Sequence, residues 1–112
     1  MLTLHHEQKN AVEIITVGGV LNADTSHQLE SLLESLITKQ CPKILVDTGK
    51  LTYISSAGVG CFIGVIKRIR NKNGDLRFSN MTPSVKRVFN LLDLEGFFKL
   101  FPDLEKGIAS FG

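Results

Sequence analysis

The chain has 112 residues, 43% of them apolar and 21% charged, with a formal net charge of +2. That is enough for one core and one domain, 1–112, and the apolar fraction excludes a disordered tail. The low net charge, the absence of Trp and a single Tyr argue against a dedicated nucleic-acid binder, which needs a basic stripe and stacking rings.

Leu2 to Gln8 alternates apolar and polar residues, and Ala11 to Val17 does so again after Lys9-Asn10, which predicts an opening hairpin. Gly18-Gly19 is expected to break the second strand, with Val20-Leu21 at most a brief extension. Asn22, Asp24 and Thr25 then offer helix-start side chains. From Ser26, Leu29, Leu32, Leu33, Leu36 and Ile37 recur at helical spacing, predicting an amphipathic helix that ends near Gln40. After Pro42, the run Lys43-Ile44-Leu45-Val46-Asp47 reads as a central strand buried on both faces, followed by a loop from Thr48 to Ile54.

A second helix is predicted from Ala57 to about Asn73, with Val59, Phe62, Ile63, Ile66 and Ile69 as its apolar face and Asn73-Gly74 as its stop. Lys67, Arg68, Arg70 and Lys72 form its solvated side. Leu76-Arg77-Phe78 reads as a strand. Thr82-Pro83 starts a helix carrying the stripe Val85, Val88, Phe89 and Leu92. Phe97 to Phe101 is expected to be a last strand and Asp103 to Ser110 a short terminal helix. The order ββαβαβαβα favours parallel pairing, giving a mixed, mainly parallel sheet with helices mostly on one face.

Ser55-Ser56-Ala57 falls where the strand region gives way to the glycine-rich helix. Ser55 or Ser56 would sit at the N-cap, its oxygen accepting from free backbone amides. The same place suits a phosphorylated serine, because the helix dipole and unpaired N–H groups favour an anion there. Gly58, Gly60 and Gly64 match no phosphate-binding loop; Gly60 and Gly64 share a helix side, where close packing against a sheet or a partner is expected. His5 and His6 point to opposite faces of a strand and cannot chelate as a fork, so no metal or other cofactor is implied. Cys41 and Cys61 lack metal or redox spacing and are expected to be buried free thiols. With His5, His6 and His27 far in sequence from Ser56 and no nucleophile elbow, an enzyme is not expected, although Asp24, Asp47 or His27 could approach Ser56 in space. Met1 to Asn10 is too polar for a signal peptide, and no apolar stretch is long enough to span a bilayer, so a cytoplasmic protein without membrane insertion is expected.

The segment Ile44 to Gly60, Ile-Leu-Val-Asp-Thr-Gly-Lys-Leu-Thr-Tyr-Ile-Ser-Ser-Ala-Gly-Val-Gly, resembles the central motif of the STAS domain, and most of all that of bacterial anti-sigma factor antagonists. The likeness continues through Thr82-Pro83-Ser84-Val85-Lys86-Arg87-Val88-Phe89, Leu92-Asp93-Leu94 and the opening Gly19-Val20-Leu21-Asn22, so that it covers nearly the whole chain. Two positions depart from the pattern: the acidic residue before the phosphorylated serine is Ser55 here, and an earlier aspartate is Asn22.

The resemblance implies phosphorylation of Ser56, with Ser55 as the alternative acceptor, and a partner surface of Asn22, Ser55, Ser56, Ala57, Gly58, Val59 and Gly60. Its implied partners are an anti-sigma factor with serine kinase activity and a serine phosphatase, with no nucleic acid. The unphosphorylated form would bind the anti-sigma factor and release the sigma factor. The alternatives within the family are a subunit of a larger assembly, such as a stressosome or a lipid-transport ATPase, and a nucleotide-binding domain.

Overall fold

A computed structural model describes residues 1–112. Strands β1 (Leu2–Lys9) and β2 (Val12–Leu21) form the antiparallel hairpin; β3 (Lys43–Ile54), β4 (Asp75–Ser79) and β5 (Leu100–Phe101) follow in parallel, in the sheet order β1-β2-β3-β4-β5. Helices α1 (Ser26–Ile37), α2 (Ser56–Asn71) and α3 (Pro83–Leu91) occupy the three crossovers, and α4 (Leu104–Ala109) ends the chain. Because strand order rises steadily from β2 to β5, crossovers of one hand land on one face. Accordingly Leu29, Leu33, Phe62, Ile66, Val85 and Phe89 share a core with Ile15, Val17, Ile44, Val46 and Phe78. The other face is covered only by α4, whose Leu104 and Ile108 pack on Val12, Ile14 and Leu45.

Phe78 lies at the centre of the main core, meeting Phe62, Phe89 and Phe98 edge to face at centroid distances of 4.9, 5.3 and 5.2 Å, the geometry that the ring quadrupoles favour. On the reverse face Arg77 holds α4 in place: it donates to the Ser110 carbonyl at 2.6 Å and lies 4.2 Å from the Phe111 ring centroid.

Several expectations are corrected. Gly18-Gly19 does not break β2, which runs to Leu21. The pair is there because β1 starts close by: a Cβ on Gly18 would sit 2.6 Å from Thr3 Oγ1, and Gly19 has φ +83 with Met1 O 2.1 Å from where a Cβ would stand. The stretch Thr48 to Ile54 is strand, not loop, because it goes on pairing with Gly18 to Leu21 across register shifts in the ladder. The last strand is only Leu100–Phe101, since Phe98 turns into the core. Helix α1 stops at Ile37, where the Lys72 ammonium donates to the Ile37 carbonyl at 2.6 Å. Ile63 and Leu92 are 41% and 39% exposed, off the buried faces of their helices. Cys61 is buried as expected, but Cys41 is exposed.

Candidate functional site

The extension of β3 fixes where α2 begins. The Ser55 amide donates to the Leu21 carbonyl at 3.0 Å, tying the end of β3 to the end of β2 immediately before the helix starts. Ser55 is the N-cap: its backbone is extended (φ −96, ψ 170) and its Oγ accepts from the Gly58 amide at 3.2 Å. Ser56 is the first helical residue, exposed, with its hydroxyl in no side-chain hydrogen bond of the helix start. The cap and the free hydroxyl therefore belong to different serines. The amides of Ser56 and Ala57 have no intrahelical acceptor and face outward at the positive end of the helix dipole.

Gly58 is buried beneath β2. A Cβ there would come 2.8 Å from the Leu21 carbonyl oxygen and 3.0 Å from Ile54 Cγ1, so only glycine lets the first turn sit this close. Val59 is fully buried and packs in the core. Neither residue offers a side chain to a partner; Val59 is buried as its place on the apolar face of α2 predicts. Gly60 is the reverse case: it is exposed, with nothing within 4 Å of a built Cβ, and Gly64 is equally open. The expected packing of these two glycines against the sheet is therefore absent, while the surface over Gly60 stays flat.

Asn22 lies one residue beyond Leu21 and so borders the same helix start. Its Oδ1 accepts from the amides of Asp24 at 2.9 Å and Thr25 at 3.1 Å, and Thr25 Oγ1 donates to the Val20 carbonyl at 2.9 Å. Thr25 makes no side-chain cap for α1; the loop is held by Asn22 instead. An aspartate would satisfy the same two amides, so the asparagine keeps the turn while leaving it uncharged.

Of the groups that could have approached Ser56, Asp47 is engaged with the Gly49 amide at 2.9 Å and Asn80 Nδ2 at 3.0 Å, while His27 and Asp24 are exposed and make no hydrogen bond to Ser56. No three of the chain's His, Cys, Asp and Glu side chains are grouped as metal ligands would be. Under the first turn of α2, the Cys61 thiol is 3.8 Å from the carbonyls of Ser26 and Ala57, and burial pushes its pKa up, keeping it protonated. The largest concavity, about 530 Å³ between the Asn10 turn and α4, does not include Ser56.

Sequence reasoning missed Tyr53. It is 55% exposed two residues before the cap, at a position first read as loop. No local signal marks it: Thr52 and Tyr53 are both exposed between buried Leu51 and Ile54, a break in alternation that falls at the register shift opposite Gly19 and Val20.

A five-stranded mixed sheet with its three crossover helices on one face is the architecture of the family to which this chain belongs. The profile of the STAS domain matches residues 4–107, and the chain is a member of the STAS domain family. BtrV of Bordetella bronchiseptica, a proposed anti-sigma factor antagonist, is 35% identical over 89 residues, covering 80% of this chain and 74% of that protein. The anti-sigma F factor antagonist of Paenibacillus polymyxa is 30% identical over 102 residues, covering 90% of this chain and 85% of that protein. Among solved structures, unphosphorylated SpoIIAA superposes with a TM-score of 0.84 at 21% identity over 97% of this chain and 96% of that one. The phosphorylated form of the Bacillus protein gives 0.78 at 20% identity over 98% and 100%. No helix is long and apolar enough to cross a membrane.

Proposed function

We propose that this protein is an anti-sigma factor antagonist whose unphosphorylated form binds an anti-sigma factor and is switched off by phosphorylation of Ser56. The observation that carries this reading is the division of labour at the helix start: Ser55 takes the cap, and the exposed Ser56 hydroxyl is left free. The names of the relatives in Bordetella and Paenibacillus support the antagonist role, and the existence of SpoIIAA in both phosphorylation states supports a switch by phosphorylation.

The anti-sigma factor is taken to be the kinase. In the step, the γ-phosphoryl of ATP passes to Ser56 Oγ, the hydroxyl proton leaves to a base of the kinase, and ADP departs. The product adds about −1.5 to −2 charges at neutral pH. The amides of Ser56 and Ala57 and the helix dipole accommodate that charge, so the fold survives. Binding fails because the partner would have to desolvate a new dianion. The contact surface in this reading is Asn22, Ser55, Ser56, Ala57 and the flat strip over Gly60. A serine phosphatase restores the active form, the sigma factor is free for transcription while the complex persists, and the protein acts in the cytoplasm by binding, without catalysis.

The test is incubation with the anti-sigma factor kinase of the source organism and ATP, followed by phosphosite mapping. Wild type and Ser55→Ala are expected to carry phosphate at Ser56, and Ser56→Ala to carry none. Undiminished incorporation into Ser56→Ala would overturn the assignment.

A further inference from the structure

Strand β1 is the outermost strand of the sheet and pairs with β2 alone, through an unbroken antiparallel register from Leu2↔Gly19 to Lys9↔Val12. The opposite edge, β5, is two residues long, whereas β1 runs for eight residues without a proline or a bulge to blunt it. One hydrogen bond shows which of its backbone groups are free. The Val20 amide donates to the Met1 carbonyl at 2.9 Å, so Met1 turns its carbonyl toward β2. Alternate residues of an antiparallel strand do the same, which assigns Thr3, His5, Glu7 and Lys9 to β2. Leu2, Leu4, His6 and Gln8 are left with N–H and C=O groups directed out of the sheet.

A further antiparallel strand must set outward residue against outward residue, and for two copies related by a two-fold axis this places the axis at a residue of β1. An axis at Glu7 sets that carboxylate against itself and His5 against Lys9. An axis at His5 sets His5 against itself, and one at Leu4 pairs only Leu2 to His6. An axis at His6 pairs Thr3 to Lys9 and sets His5 opposite Glu7 twice. These two residues lie on the α4 face of the sheet, where His5 Nε2 is already 3.9 Å from Glu7 Oε1 within one copy. The same axis sets half-buried Leu4 opposite Gln8, and it brings the two His6 residues together with their rings already held, since His6 Nε2 is 2.7 Å from Glu13 Oε1.

We infer that two copies of this chain pair β1 with β1 in the register centred on His6, joining their five-stranded sheets edge to edge. A strand from an unrelated protein would use the same backbone groups, but the order His5, Glu7 along one face is complementary to itself when reversed, which favours a second copy. The inference does not rest on the antagonist reading. Ser56 follows β3, which β2 separates from this edge, so the pairing leaves the serine switch as it is.

Sedimentation equilibrium of the full chain, at concentrations up to about 1 mM, tests this on wild type, Gln8→Pro, Glu7→Lys and the double variant His5→Glu/Glu7→Lys. Wild type is expected to dimerise reversibly. Gln8→Pro removes an outward amide that the monomer does not use and is expected to weaken the dimer about tenfold or more. Glu7→Lys is expected to weaken it several fold, and the double variant to return it to within about twofold of wild type, because the two charges then face each other in exchanged places. His5, Glu7 and Gln8 are all exposed, so the charge variants keep the fold and the result stays readable if Gln8→Pro proves unstable. Wild type remaining monomeric throughout would leave the edge to another protein's strand and overturn the inference. Gln8→Pro and Glu7→Lys both dimerising as tightly as wild type would move the interface elsewhere and overturn it too. A double variant no tighter than Glu7→Lys would overturn the register.

Discussion

The Ser55 hydroxyl accepts from the Gly58 amide at 3.2 Å and thereby frees the Ser56 hydroxyl from the structure of the helix. Two adjacent serines with the same chemistry are given different work by one turn of backbone. Removing the cap should cost about 1 kcal/mol, the usual loss when an N-cap serine becomes alanine. Ser55→Ala is therefore expected to lower the urea midpoint, Ser55→Asp to keep it, and Ser56→Ala to change stability by no more than about 0.5 kcal/mol, as for a surface substitution. Equal losses for Ser55→Ala and Ser56→Ala would contradict the division.

The glycines of α2 should respond in opposite directions. Gly58→Ala places a methyl 2.8 Å from the Leu21 carbonyl oxygen and is expected to destabilise by at least about 1 kcal/mol, the scale of overpacking. Gly60→Ala and Gly64→Ala meet nothing within 4 Å and are expected to stabilise by about 0.5–1 kcal/mol through helix propensity. Gly60→Ala should in addition weaken anti-sigma factor binding, because the methyl rises from the flat strip, whereas Gly64→Ala gives a reference further along the helix. Denaturant midpoints and one binding titration per variant check this. At the hairpin turn, Ala11 holds φ +65, so Ala11→Gly should raise stability by up to about 1 kcal/mol by relieving a left-handed conformation.

Acid should unfold the protein through two carboxylates, Glu13 buried and Asp75 half-buried. Burial alone raises the pKa of Glu13, but hydrogen bonds from Lys39 and His6 outweigh it and hold the carboxyl below its ordinary 4.5. Burial likewise raises Asp75, and Arg77 and Arg70 more than offset it, keeping the group below 3.8. A pKa depressed by folding gives stability that is complete above the unfolded value and is lost as pH falls through the folded one. Urea midpoints should be level in Glu13 and Asp75 contributions down to about pH 5 and fall below it. Asp75→Asn should start lower at neutral pH, having left Arg70 and Arg77 without their carboxylate, and lose less on acidification. A slope equal to that of wild type would contradict the role of Asp75.

The two thiols should differ sharply toward a water-soluble disulfide reagent. Exposed Cys41 is expected to react at once in the native state, and Cys61, buried and with its pKa raised, only on unfolding. Cys41→Ser should abolish the fast phase and leave the slow one.

The sequence carried the order of elements because periodicity reports burial directly: Leu29, Leu33 and Leu36 of α1 and Val59, Phe62, Ile66 and Ile69 of α2 are all buried where spacing placed them. It misread the elements whose pattern is set by neighbours distant in the chain. Gly18-Gly19 looks like a breaker locally, yet the pair exists to admit the start of β1, and Thr48 to Ile54 looks like a loop until the extended β2 is there to pair with it. At the site, the serine pair and its placement were legible, since cap chemistry is local. Which serine caps was not, because that follows from the Ser55 amide being held by Leu21 across the sheet. The burial of Gly58 has the same origin, and so does the exposure of Tyr53.

Charge on Ser56 is expected to control binding while the fold stays the same. Titration calorimetry of the anti-sigma factor into the unphosphorylated protein, and into protein carrying phosphoserine at position 56 with an unchanged circular dichroism spectrum, measures this directly. The expected result is binding by the first and at least about hundredfold weaker binding by the second, a difference of about 2.7 kcal/mol. Equal affinity of the two forms, or tighter binding by the phosphorylated one, would contradict the account.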